Sequence, residues 1–121
     1  MSDTRALLER FAAAWNAHDA EELMACMTDD CVFYGSAGPG ERGAEYRGRS
    51  AVREAYASIW QTHVDAAWND PKHFVAGDRA VSEWIFTGTN KDGKRIRVSG
   101  CDVFTLRDGK IAVKDSFRKQ N

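Results

Sequence analysis

The stretch RVSGCDVFTLRDGKIAVKDSFR, residues 97 to 118, decides the fold. Two strand-like runs flank Arg107-Asp108-Gly109-Lys110, and Asp-Gly between alternating apolar residues is the strongest short-range signal for a β-hairpin. Each arm carries a carboxylate where an apolar residue would be ordinary. Asp102 stands among Val98, Cys101, Val103, Phe104 and Leu106, otherwise a core strand. Asp115 continues the alternation Ile111, Val113, Asp115, Phe117, and a bulge before it would turn it to the other face. A carboxylate in an apolar strand is costly unless it is paired, hydrogen-bonded or kept protonated. Both aspartates are therefore candidates for function.

Upstream of the hairpin the two-residue alternation extends back to Trp68. It predicts strands over about 67 to 76, 79 to 89, 94 to 107 and 110 to 118. Gly77-Asp78, Asn90-Lys91-Asp92-Gly93 and Asp108-Gly109 supply the turns, so successive strands form an antiparallel meander. Before Trp68 the period is helical. Leu7, Leu8, Phe11, Ala14, Trp15 and His18 mark a helix over 4 to 17, capped by Asp3 or Thr4. Asp19 caps a shorter helix with Leu23, Met24 and Met27 inward, and Thr28-Asp29-Asp30 ends it. Cys31 to Tyr34 is a short strand.

A glycine-rich loop follows, from Gly35 to Gly48. Its Gly38, Gly40 and Gly43 spell G-x-G-x-x-G, but no helix opens on them and no βαβ unit follows, which excludes a dinucleotide site. Ser50 caps a third helix running to about Val64, with Val52, Ala55, Tyr56, Ile59 and His63 as its stripe and Trp60 beside them. Helices first and sheet second indicates an α+β fold. A strongly twisted sheet curls, and three helices closing its open side give a cone with an apolar interior.

The totals fit that reading. With 121 residues the chain holds one core, a single domain over 1 to 121. A net charge of −1 gives no electrostatic reason to expect nucleic acid or an anionic membrane as partner. No apolar run reaches membrane-spanning length, and the N-terminus lacks the features of a signal peptide. Cys26, Cys31 and Cys101 are an odd number without a CxxC pair, which predicts reduced thiols in a cytoplasmic protein. His18, His63 and His73 show no ligand spacing, so no metal site is expected.

Asp102 is the leading candidate, as a neutral acid or a base in an apolar cavity. The alternative is a carboxylate satisfied by its neighbours. Asp115 comes next, its alternative being an ion pair with a basic residue at the rim. His63, on the stripe of the third helix, is a candidate base or ligand-orienting group, or else a satisfied core histidine. Tyr34 carries a hydroxyl able to donate to an oxyanion. Phe11, Trp15, Tyr56, Trp60, Trp84 and Phe104 are the candidate lining of a cavity suited to a flat apolar molecule, or the filling of a closed core.

Five segments in order, FAAAWNAHDAEEL at 11 to 23, TDDCVFYGS at 28 to 36, YRGRSAVREAY at 46 to 56, GDRAVSEWIFTGT at 77 to 89 and GCDVFTLRDGKIAVKDSFRK at 100 to 119, carry a resemblance. The chain resembles the SnoaL-like proteins of the nuclear transport factor 2-like superfamily, which includes the ketosteroid isomerases. That superfamily holds cyclases, isomerases, dehydratases, epoxide hydrolases and non-catalytic binding domains. Asp102 matches the strand aspartate that donates to the substrate oxyanion in the isomerases. Their general-base aspartate is replaced here by Gly35, and their first-helix tyrosine by Phe11. Asp115 is similar to a last-strand aspartate of limonene epoxide hydrolases after a one-residue gap, but SEWIF offers Glu83 and no arginine where those enzymes need an Arg and a second Asp. The expectation is a domain that binds a small, largely apolar organic molecule, with cofactor-independent acid–base catalysis of the isomerase, cyclase or dehydratase type. The alternative is a non-catalytic ligand-binding or dimerisation module. Three short helices cannot cover the whole sheet, and the superfamily commonly pairs through that face, so a homodimer is expected.

Overall fold

A computed structural model describes residues 2–120. Three helices precede most of one six-stranded sheet: α1 (Ser2–Asn16), α2 (Ala20–Ala25), β1 (Met27–Tyr34), β2 (Glu45–Arg47), α3 (Arg49–Thr62), β3 (Ala67–Ala76), β4 (Arg79–Thr89), β5 (Arg95–Arg107) and β6 (Lys110–Arg118). The sheet runs in the order β2-β1-β6-β5-β4-β3. The α+β cone is therefore present, and β3 to β6 form the antiparallel meander that the turns dictate.

The core lies between the helices and the concave face of the sheet. Leu8, Phe11, Ala14 and Trp15 place one stripe of α1 in it, and Val52, Ala55 and Tyr56 do the same for α3. Burying each of the larger side chains contributes about 1.5–3 kcal/mol. Phe104 and Ile111 meet them from the sheet, each essentially inaccessible.

Several local expectations need correction. The second helix stops at Ala25, and β1 begins at Met27 rather than Cys31. Met27 pairs with Ile111 of β6, so Thr28-Asp29-Asp30 lies inside an irregular strand instead of a turn. The polar pair Asp29 and Asp30 is exposed there and reads as a breaker only when the parallel pairing is unknown. The long loop contains β2, which pairs with β1 at Val32, Phe33 and Tyr34. The third helix is capped by Gly48, at φ 86°, with no side-chain capping bond from Ser50. That conformation favours glycine, which has no Cβ to clash.

One irregularity controls the rest of the molecule. Thr105 faces Val113 and Leu106 faces Ile111, so Ala112 is an extra residue in β6. A bulge of this kind flips every later side chain to the opposite face. Ile111 points into the core, whereas Val113, Asp115 and Phe117 point away from it. Lys114 and Ser116 take the inward positions.

Candidate functional site

Asp102 lies at the base of the concave face and is only 5% exposed. Its position follows from the β5 alternation, which also sends Val98 and Phe104 inward. Both oxygens of its carboxylate accept hydrogen bonds. Oδ1 accepts from Ser116 Oγ at 2.6 Å and lies 3.3 Å from Lys114 Nζ. Oδ2 accepts from the Trp84 indole N–H at 3.1 Å. Lys114 Nζ also donates to Ser116 Oγ at 2.7 Å, which closes a triangle.

Trp84 reaches Asp102 because of a glycine. Trp84 stands directly opposite Gly100. A Cβ on Gly100 would lie 2.5 Å from the Trp84 ring and 2.5 Å from the Phe117 carbonyl oxygen. The indole thus lies across a bare stretch of β5, and its N–H points along the sheet to the next inward residue.

Lys114 is buried to the same depth as Asp102, and its ammonium sits near three aromatic faces. Nζ is 4.5 Å from the Phe33 centroid, 5.0 Å from Trp15 and 5.4 Å from Tyr56. Burial pushes the Lys114 pKa down, against the opposing pull of the Asp102 charge. The rings and the carboxylate are what make a cation tolerable here. Chemically, the two groups can share one proton, as carboxylate with ammonium or as acid with amine. Such a pair can both give and take a proton.

The inward row through Asp102 continues across the sheet. Ser82 is opposite Asp102, and His73 is opposite Ser82. His73 Nδ1 and Ser82 Oγ are 2.7 Å apart, both side chains buried beneath α1. Burial pushes the His73 pKa down; Arg5 acts in the same direction and Glu9 opposes. A small cavity of about 20 Å³ borders His73, Ser82, Trp84 and Asp102 on the sheet and Phe11 and Trp15 on α1.

The other expected site residues fall elsewhere. Phe104 lines the cavity with Phe11, Trp15 and Trp84, but Tyr56 and Trp60 do not. The Tyr56 hydroxyl donates to Met27 Sδ at 3.1 Å, while Trp60 stacks on His18 at 5.0 Å and packs edge-on against Trp15. Asp115 is on the opposite face of the sheet, 3.6 Å from the Arg42 guanidinium. Tyr34 is there too, directly opposite Asp115 and 4.4 Å beneath the same guanidinium. The bulge at Ala112 is the reason for Asp115's placement; inward Phe33 is the reason for Tyr34's. His63 caps the C-terminus of α3, close to Thr62 and edge-on to Phe86, and borders a separate groove of about 210 Å³. Asp102 is thus grouped with Lys114, Ser116, Ser82 and His73, not with Asp115, His63 or Tyr34. Among the described residues no three His, Cys, Asp or Glu side chains converge as a metal site would require.

A curved six-stranded sheet closed by N-terminal helices is the nuclear transport factor 2-like fold. The chain belongs to the SnoaL-like domain family, whose model matches residues 8–114. No curated protein matches it. Among solved structures it is similar to a nuclear transport factor 2-like protein of unknown function from Mesorhizobium loti, at 28% identity and TM-score 0.79, over 98% of this chain and 93% of that one. It is also similar to a proposed polyketide cyclase from Xanthomonas campestris, at 18% identity and TM-score 0.83, over 99% and 91% of the two chains. A third, from Catenulispora acidiphila, has a ketosteroid isomerase-like fold and was solved with trimethylamine; it matches at 20% identity and TM-score 0.81, over 92% and 83%.

Proposed function

We propose that the protein binds a small, largely apolar organic molecule between α1 and the inner sheet face. There it performs acid–base chemistry without a cofactor, of the isomerase, cyclase or dehydratase type. Asp102 and Lys114 are the proton-transferring pair. One observation carries this reading: an ion pair held at 3.3 Å with both partners buried. Taking two charges out of water costs several kcal/mol each, roughly, and apolar residues of similar volume would stabilise such a core as well or better. The polyketide cyclase assignment of a structural relative supports the same class by analogy. The test is turnover over a panel of carbonyl compounds and epoxides. Asp102→Asn and Lys114→Met should each lower kcat by about a hundredfold or more. Full activity in Asp102→Asn would remove the basis of the reading.

A second reading has its own support. The cavity is about 20 Å³, and Trp15 packs against Tyr56, Trp60 and Trp68 across the concavity. A filled cone suits a ligand-binding or dimerisation module without catalysis. Thermal shift with the same panel separates the two, because a binding module is stabilised by a ligand that it does not convert.

The outer sheet face is the proposed homodimer surface. Phe74 and Phe117 are 54% and 52% exposed there, and Phe117 borders a hollow of about 780 Å³ with Lys72, Glu83, Ile85 and Cys101. Sedimentation should give a dimer for the natural chain and a monomer for Phe117→Asp. Among the described residues no helix is long and apolar enough to cross a membrane, and Cys26, Cys31 and Cys101 are free thiols. Those thiols support the cytoplasmic assignment.

A further inference from the structure

The row His73, Ser82, Asp102, Ser116 runs across four neighbouring strands on one face. Hydrogen bonds join its two halves internally, His73 to Ser82 and Ser116 to Asp102 with Lys114. Between the halves lies the small cavity, which borders both Ser82 and Asp102. Its volume of about 20 Å³ suits one water, which needs roughly 10–15 Å³ and two to four polar partners. A third partner is at hand. Trp15 is 4% exposed, it lines this cavity, and its indole N–H has no hydrogen-bond partner among the described residues. Burying an unsatisfied donor costs about 1–3 kcal/mol, so a polar occupant is favoured there.

The far end of the row meets solvent. His73 borders the cavity and also an open groove of about 570 Å³ between α1 and β3, along with Arg5, Glu9 and Pro71. Other residues share both spaces, but His73 is the titratable one.

We infer that one water, held by the Trp15 indole N–H, Ser82 Oγ and the Asp102 carboxylate, completes a proton relay from Lys114 and Asp102 to the α1/β3 groove through His73. Outward, the Lys114 ammonium gives a proton to Asp102. The Asp102 carboxyl gives one to the water, and the water gives one of its own to Ser82 Oγ. The Ser82 hydroxyl proton passes to His73 Nδ1, and His73 releases its Nε2 proton to the groove. One proton leaves the buried pair; Lys114 ends as the amine, Asp102 is again a carboxylate, and the water and Ser82 are unchanged. His73 is left as the Nδ1–H tautomer, and a proton arriving at Nε2 drives the same steps backwards. A lowered His73 pKa suits the neutral starting ring. Use of the relay in turnover rests on the acid–base function of Asp102 and Lys114; its existence does not. His73 and Ser82 are positioning residues here.

The experiment is hydrogen exchange of the Lys114 ammonium, followed by NMR on nitrogen-15-labelled protein without any substrate. Backbone amides of Phe104 and Ile111 serve as internal standards. Ser82→Ala and His73→Phe should each slow Lys114 exchange by about tenfold or more, the loss of one proton-transfer group. A substitution that merely loosens the core does the reverse, since local opening speeds exchange at Lys114 and at both amides together. The Trp15 indole proton should show cross-relaxation with a long-lived water in the natural chain. Unchanged or faster Lys114 exchange in both variants, or no water contact at Trp15, overturns the relay. Slowed exchange in a protein that turns over nothing leaves the relay standing and removes the catalytic reading instead.

Discussion

One hairpin holds two aspartates in two different worlds. Asp102, on the inner face, is 5% exposed and bound by Ser116, Trp84 and Lys114. Asp115, on the outer face, has a side chain that is 19% exposed and meets Arg42 at 3.6 Å, itself 56% exposed. The sequence around each is much the same, an acid amid alternating apolar residues. What separates them is the extra residue Ala112, a single backbone register step. In the interior the acid had to acquire a lysine, a hydroxyl and an indole. At the surface, water does most of that work.

Inserting one alanine after Ala112 would break this contrast most severely. With the bulge still one residue wide, the insertion sets Asp115 opposite Asp102 and sends Lys114 and Ser116 outward. Two carboxylates would then share a dry site with no cation, while a lysine moved to the outer face. Such a change belongs with the rare losses above about 4–5 kcal/mol. Urea denaturation should show no cooperative transition. An insertion variant that folds with near-natural stability would mean that β6 absorbs the extra residue by widening the bulge, and that the inward side chains rather than the turn hold its register.

The pair itself is next in size. Asp102→Ala leaves the Lys114 ammonium uncompensated in the core and should cost about 3–5 kcal/mol in urea unfolding. Lys114→Met with Asp102→Leu removes both charges, and that double variant should recover most of the loss. A double variant as unstable as Asp102→Ala would show that shape, not charge, is what the site demands.

This same register explains how much could be read beforehand. The four strands of the meander were legible to within a residue or two, because their turns are marked by Gly77-Asp78, Asn90 to Gly93 and Asp108-Gly109. Asp102 was legible as an inward carboxylate because β5 alternates without interruption. Its partners Ser82 and His73 follow only when the connection is known to run from Asn90 to Lys94, since reflection through the four residues Asn90 to Gly93 arrives at Val81. Lys114 and Ser116 do not follow, since reflection through Asp108-Gly109 arrives at Asp115 unless the bulge is known. The parallel β1–β6 pairing was equally hidden, because its partners are far apart in the chain and no turn joins them.

His73 offers a smaller effect with a defined sign. Its folded pKa lies below the ordinary 6.5, with burial the largest cause. Above pH 6.5 the ring is neutral in both states and the protein has its full stability. As pH falls from 6.5 to the folded pKa, the unfolded chain takes up a proton that the folded chain refuses, so stability declines. Below the folded pKa the loss stops growing. The slope in that window is at most about 1.4 kcal/mol per pH unit for one site. His63 is shifted the same way and contributes its own share. His73→Gln should therefore flatten the acid limb of stability against pH, measured by urea unfolding between pH 5 and 7, without abolishing it. An unchanged limb would place the titrating load on His63.

The weakest expected effect completes the contrast. Asp115→Ala removes an ion pair at the long end of contact, with Arg42 more than half exposed. Solvent screens such a pair, and holding the long arginine side chain in place costs entropy, so the loss should be about 0–1 kcal/mol. Added salt should shrink it further, because exposed charges are screened over about 8 Å at physiological ionic strength. Asp102→Ala should respond little to salt, since its partner sits beyond the reach of mobile ions. Urea unfolding of both variants at low and high salt makes the comparison direct. If Asp115→Ala costs as much as Asp102→Ala and keeps that cost in salt, the outer face is desolvated when the protein folds in solution. The dimer surface proposed for Phe74 and Phe117 would then have to extend over Asp115 and Arg42 as well.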